Sequence, residues 1–98
     1  NHELSDVLDH FATITLLVKR KAIDRQLAID LQEYWLVRYW LVSQEYVAAA
    51  REFDPGSWES YEELVKYVMK KNRQEYTPEM LKVFLLEEAR QEAQPVEA

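Results

Sequence analysis

An all-α fold is what this sequence predicts, on three observations. Gly occurs once and Pro three times in 98 residues, too few for the tight turns of an all-β fold. Glu, Leu, Ala, Lys, Gln and Arg dominate, and all are good helix formers. Apolar residues recur at i, i+3, i+4 and i+7 through most of the chain, the period of an amphipathic helix. A chain of this length, 48% hydrophobic and 12% aromatic, holds one core and not two. The architecture expected is a single domain, an antiparallel four-helix bundle with a long central second helix.

Leu4, Val7, Leu8, Phe11, Ile14, Thr15 and Val18 share one face and predict a first helix over 5–20. Ser5 can cap it, and Lys19, Arg20 and Lys21 suit the negative end of its dipole. Asp24 is placed to cap a second helix by accepting from the N–H of Gln26 or Leu27. Leu27, Leu31, Tyr34, Trp35, Arg38, Leu41 and Val42 form one stripe of that helix, while Leu36, Val37, Tyr39 and Trp40 make its other sides apolar. A helix apolar all round is covered on more than one side. The pattern runs to Glu52, and Pro55 forbids continuation. Unbroken over 24–52, this helix is about 42 Å long, nearly twice its neighbours. Either it breaks near Ser43 and Gln44, or its second half pairs with a later helix or a second copy of the chain.

Asp54, Pro55, Gly56 and Ser57 predict a turn. A third helix over 57–72 follows, capped by Ser57 or by Ser60 with Glu63 as a capping box, and Asn72 is a plausible left-handed stop. Trp58, Tyr61, Leu64, Val65 and Val68 form its inner face. Thr77 caps a fourth helix over 77–93, with Pro78 at its first position and Leu81, Phe84, Leu85 and Ala89 turned inward. Gln94 to Ala98 is expected to fray. The chain begins at Asn1 rather than Met, so a longer parent protein is expected.

Charge and composition exclude several functions. The net charge is −6, a poor match to nucleic acid, whose binding draws on phosphate neutralisation. Without Cys there is no thiol catalysis, disulfide or thiolate metal site, although this fits any compartment. The cytoplasm or the cytoplasmic face of a membrane is the favoured localisation. No apolar run approaches a membrane span. One Gly cannot build a phosphate loop. Both His lie in the first ten residues, remote from any serine motif. Glu3, Asp6 and His10 share a helical face and could hold a cation, but a solvated acidic face is the stronger reading. The paired glutamates are surface residues rather than an acid–base pair. No enzyme activity, cofactor or metal is therefore expected.

Two features remain as candidates. The first is Tyr34, Trp35, Arg38, Tyr39, Trp40 and Val42, where aromatics and an Arg coincide as at interface hot spots. Arg38 is expected to pack its stem on the rings and reach Glu45 or solvent. The second is a basic end. Short connections make neighbouring helices antiparallel. That gathers Lys19, Arg20, Lys21, Arg25, Lys70, Lys71 and Arg73 at one end and acids such as Asp54, Glu59, Glu62, Glu63, Glu87 and Glu88 at the other.

The run from Leu8 to Ile14 around Phe11, the run from Val18 to Asp24 ending in Ile23-Asp24, then Leu27 and Tyr34 to Trp40 with Arg38-Tyr39-Trp40, resembles a bacterial family of uncharacterised domains. Phe11, Asp24, Arg38, Tyr39 and Trp40 match its framework. The resemblance covers the first half of the chain and implies no catalytic role. Many members of that family look like short proteins held by an amino-terminal membrane helix, so the resemblance implies an anchor upstream of this chain. The leading functional expectation is a non-enzymatic interaction or oligomerisation domain, partnered by a second copy or another protein through the second helix. A juxtamembrane domain whose basic end faces anionic lipid comes next. A small-molecule sensor with Arg38 in an aromatic pocket comes third.

Overall fold

The computed structural model describes the backbone of residues 2–93 and the side chains of residues 4–91; the side chain of Glu3, from the candidate cation face, and the Gln94–Ala98 tail lie outside what is described. The described residues form five helices and no strand: α1 (His2–Lys19), α2 (Arg25–Val42), α3 (Gln44–Arg51), α4 (Glu59–Asn72) and α5 (Pro78–Ala93).

α1 begins ahead of Ser5, which lies inside the helix rather than capping it. Its end is a Schellman motif: the Ala22 N–H donates to the Leu17 carbonyl at 2.9 Å and the Lys21 N–H to that of Val18 at 3.0 Å. Lys21 takes the left-handed position, with φ 58°, where Gly is the usual occupant. Asp24 caps α2, its carboxylate accepting from the Leu27 N–H at 2.9 Å.

The single helix expected over 24–52 is two helices, α2 and α3, divided at Ser43. Ser43 leaves helical geometry (φ −96°, ψ 6°), and its N–H is shared between the carbonyls of Tyr39 and Trp40. That tightened turn resembles the 3₁₀ turns that end many α-helices. The Gln44 side chain donates to the Trp40 carbonyl at 2.8 Å, covering an acceptor the break exposes. The break lets α3 turn Val47 into the core, while Tyr46 lies against Trp58, ring centroids 5.9 Å apart.

The Asp54–Ser57 turn is held by the Asp54 carboxylate, which accepts from the Gly56 N–H at 3.2 Å. Neither Ser57 nor Ser60 caps α4. The N-cap position belongs to Trp58, in the left-handed region at φ 56°, with no capping side chain. Its indole N–H instead donates to Asp9 at 3.0 Å. Ser60 and Glu63 do not form a capping box; both face Lys19 of α1. The left-handed stop of α4 is Arg73, one residue beyond Asn72. At α5, Thr77 Oγ1 accepts from the Met80 N–H at 3.1 Å.

The core lies between α1, α2 and α4. Leu8, Phe11 and Ile14 come from α1, Ile29, Leu36, Val37 and Trp40 from α2, and Tyr61, Leu64, Val65 and Val68 from α4. α5 packs on α2. Phe84 is its only buried residue among those described, and Leu85 and Ala89, expected inward, are exposed.

Tyr61 stands at the centre. It has no exposed surface, and its hydroxyl donates to the Leu36 carbonyl at 2.6 Å. Burial pushes its phenol well above the ordinary tyrosine value. The sign of the linkage follows. Above about pH 10 the unfolded chain releases the Tyr61 proton while the folded chain keeps it, so stability falls with rising pH. Below about pH 10 the contribution is fully present. Tyr61→Phe is expected to cost about 1 kcal/mol at neutral pH and to flatten the alkaline loss, as read by urea unfolding at pH 7 and across pH 9–11. Equal alkaline slopes in the two proteins would contradict this.

Candidate functional site

The aromatic stretch of α2 divides between two environments. Trp40 points into the core, 4% exposed, its ring 5.0 Å from that of Tyr61. Its place in the expected contact surface is corrected: a residue enclosed by its own chain presents no surface. Tyr39 is half-buried between α1 and α5, 6.2 Å from Phe11 and 5.0 Å from Phe84, and its hydroxyl donates to Glu88 at 2.9 Å. Val42 is half-buried. Tyr34 and Trp35 are exposed and set edge to face, 5.3 Å apart. From Trp40 the rings run through Tyr61, Phe11, Tyr39, Phe84 and Tyr34 to Trp35 without a gap.

Arg38 does not reach Glu45. Its guanidinium lies 4.0 Å from the centroid of the Tyr34 ring and 5.3 Å from that of Tyr76, and it donates to the Tyr34 carbonyl at 3.1 Å. These contacts suit a guanidinium, whose flat faces stack on rings. The hollow beside it, lined by Tyr34, Glu79, Met80, Val83 and Phe84, encloses about 330 Å³. Burial raises the Tyr34 phenol, and Glu87, which accepts its hydroxyl at 3.4 Å, raises it further.

The outward face of α2 carries Leu27, Leu31, Tyr34 and Trp35, with Leu31 65% exposed. At spacings of four, three and one they make a continuous stripe down one side of the helix. Val83 of α5 adjoins Tyr34 and is also exposed. Between this stripe and α1 runs a groove of about 500 Å³, lined by Val7, His10, Phe11, Leu31, Trp35 and Tyr39. Leu27 and Leu31 were not among the expected contact residues. Their period was visible in the sequence, but an apolar period does not say which of two apolar sides faces out.

The basic end is assembled in part. Lys71 donates to the Gln26 side chain at 2.7 Å, joining the end of α4 to the start of α2. The Arg25 guanidinium sits over Tyr67 at 4.2 Å. Lys19 is drawn into an ion pair with Glu63 at 3.2 Å, so Glu63 belongs beside the α1–α2 turn and not at the acidic end. Among the described residues Arg20, Lys21, Arg25, Lys70, Lys71 and Arg73 make no ion pair. No group of three or more His, Asp and Glu side chains converges on a cation position among the described residues, and none of their helices is long and apolar enough to cross a membrane.

Fold and surface together define a small all-helical domain with an aromatic core and an apolar stripe on its second helix. The chain belongs to the family described as domain of unknown function DUF4760, whose model matches residues 1–68. The match contains Phe11, Asp24, Arg38, Tyr39 and Trp40 and stops at Val68, the last buried residue of α4. No curated protein and no solved structure matches the chain.

Proposed function

We propose that this is a non-enzymatic self-association domain whose α2 stripe packs against a second copy of the chain. The observation that carries the reading is the stripe itself: Leu27, Leu31, Tyr34 and Trp35 lie side by side and exposed, which a chain working alone has no reason to keep. Two-fold pairing is the commonest way such a face is covered. Charge favours a second copy as the occupant. Asp24 and Asp30 lie towards one end of α2 and Arg38 towards the other, while Arg25 is turned onto Tyr67. An antiparallel pairing across Leu31 and Trp35 sets the Arg38 of each copy towards the acidic end of the other. In this reading α1, α2, α4 and α5 work as an antiparallel bundle that displays the stripe. Light scattering over a dilution series is expected to give a mass near twice 11.7 kDa, falling to the monomer value in Leu31→Glu with unchanged helical circular dichroism. A wild-type monomer at every concentration would overturn the reading.

A second reading rests on the basic end, where Arg20, Lys21, Arg25, Lys70, Lys71 and Arg73 carry no ion pair among the described residues. Next to an anionic bilayer each such cation contributes about 1 kcal/mol, which suits a juxtamembrane domain. Co-sedimentation with anionic vesicles should then be strong at low salt and weak at high salt. No binding at low salt removes this reading.

A further inference from the structure

We infer that the cleft beneath the α1–α2 turn binds the anionic head of an amphiphile, with Lys21 and Arg25 holding a carboxylate or phosphate and Val18, Ile23 and Leu64 taking the apolar body. The cleft encloses about 710 Å³, within the range of small-molecule sites. Thr15, Val18 and Leu64 line it from α1 and α4, and the loop from Lys21 to Asp24 forms its rim. Both carboxylates of the lining are engaged. Asp24 caps α2 at 2.9 Å, and Glu63 pairs with Lys19 at 3.2 Å. Lys21 and Arg25 are the cations of the lining without an ion pair among the described residues.

Their settings suit an anion. The Tyr67 ring under the Arg25 guanidinium, at 4.2 Å, fixes the plane of a group whose N–H edge matches two oxygens at once. Lys21 stands at the rim, where the Schellman turn that ends α1 sets its backbone. The apolar lining is Leu64, buried, Val18, half-buried, and Ile23, exposed on the rim loop itself. A free amphiphile and a lipid head in a bilayer offer this same chemistry.

The test is a nuclear magnetic resonance titration of the whole chain with decanoate below its micelle concentration. Decyltrimethylammonium is the cationic control, and phosphatidylglycerol vesicles form a separate arm. Decanoate is expected to shift the amides of Lys21, Ile23, Arg25, Leu64 and Tyr67. Arg25→Gln, at an exposed position, should weaken binding about tenfold, the effect of one charge-assisted contact. Binding of decanoate identifies a free amphiphile as the ligand source. Binding to vesicles alone, lost in Arg25→Gln, identifies a lipid head. Equal affinity in wild type and variant, equal binding of the cationic control, shifts centred on Leu31 and Trp35, or no binding in either arm overturns the proposal. The site is separate from the α2 stripe and extends the charged-end reading. Vesicle binding that survives Arg25→Gln keeps the charged end and removes the cleft.

Discussion

Trp40→Ala is expected to lower the unfolding free energy by about 3–5 kcal/mol, the range for deleting a large buried aromatic. Trp40 is 4% exposed and touches three parts of the fold at once. Its ring meets Tyr61 of α4 at 5.0 Å, the Arg51 guanidinium of α3 lies 5.7 Å from its centroid, and its carbonyl accepts from Gln44 at the helix break. Arg51 in turn pairs with Glu62 of α4 at 3.1 Å and donates to the Ser57 carbonyl at 3.0 Å. Removing the indole therefore opens a cavity and loosens the support of an ion pair that holds α3 to α4. A domain of this size has about 5–15 kcal/mol in all, so the variant should be marginal at 37 °C. Trp35→Ala, five residues earlier and exposed, should change unfolding by less than about 0.5 kcal/mol while weakening self-association. Chemical denaturation of both variants separates the roles. Similar losses in the two would place Trp35 in the core as well.

These two tryptophans mark how far the sequence could be read. The all-helical class was legible because helix formers, apolar periods and scarce glycine agree with one another. Asp24 was legible as a cap because capping is decided within four residues. The facing of α2 was not. Its two sides are almost equally apolar, and only the packing of α1 and α4 against Leu36, Val37 and Trp40 decides which is buried. The break at Ser43 was visible as one of two options, since a polar Ser-Gln pair after a long apolar run permits a stop without requiring one. Lys21, Trp58 and Arg73 occupy left-handed positions that propensity assigns to Gly or Asn. Tertiary contacts such as the Trp58–Asp9 hydrogen bond override that preference, and no local pattern announces them. The same holds for the cleft, whose walls come from α1, the loop after it and α4.

Phe84→Ala carries the other large expected effect, and it should be confined to one helix. α5 packs on α2, and Phe84 is its sole buried side chain among those described. Phe84 sits between Tyr34 and Tyr39, with centroids at 5.7 and 5.0 Å. Deleting a buried phenylalanine ring costs about 3–5 kcal/mol, comparable to all that the two flanking tyrosine–glutamate hydrogen bonds can contribute at about 1.5–3 kcal/mol each, and one of them, Tyr34 to Glu87, is long at 3.4 Å. The cost need not spread, because the core of α1, α2 and α4 is built without α5. The family match likewise ends at residue 68, before α5 begins. Amide exchange across 78–93 should then quicken by about a hundredfold or more, while the slow amides of Leu36, Val37 and Val65 keep their protection. Uniform loss of protection would make α5 part of one cooperative unit. A local loss would identify it as a cover over Tyr34 and Tyr39, whose release widens the apolar face that α2 presents.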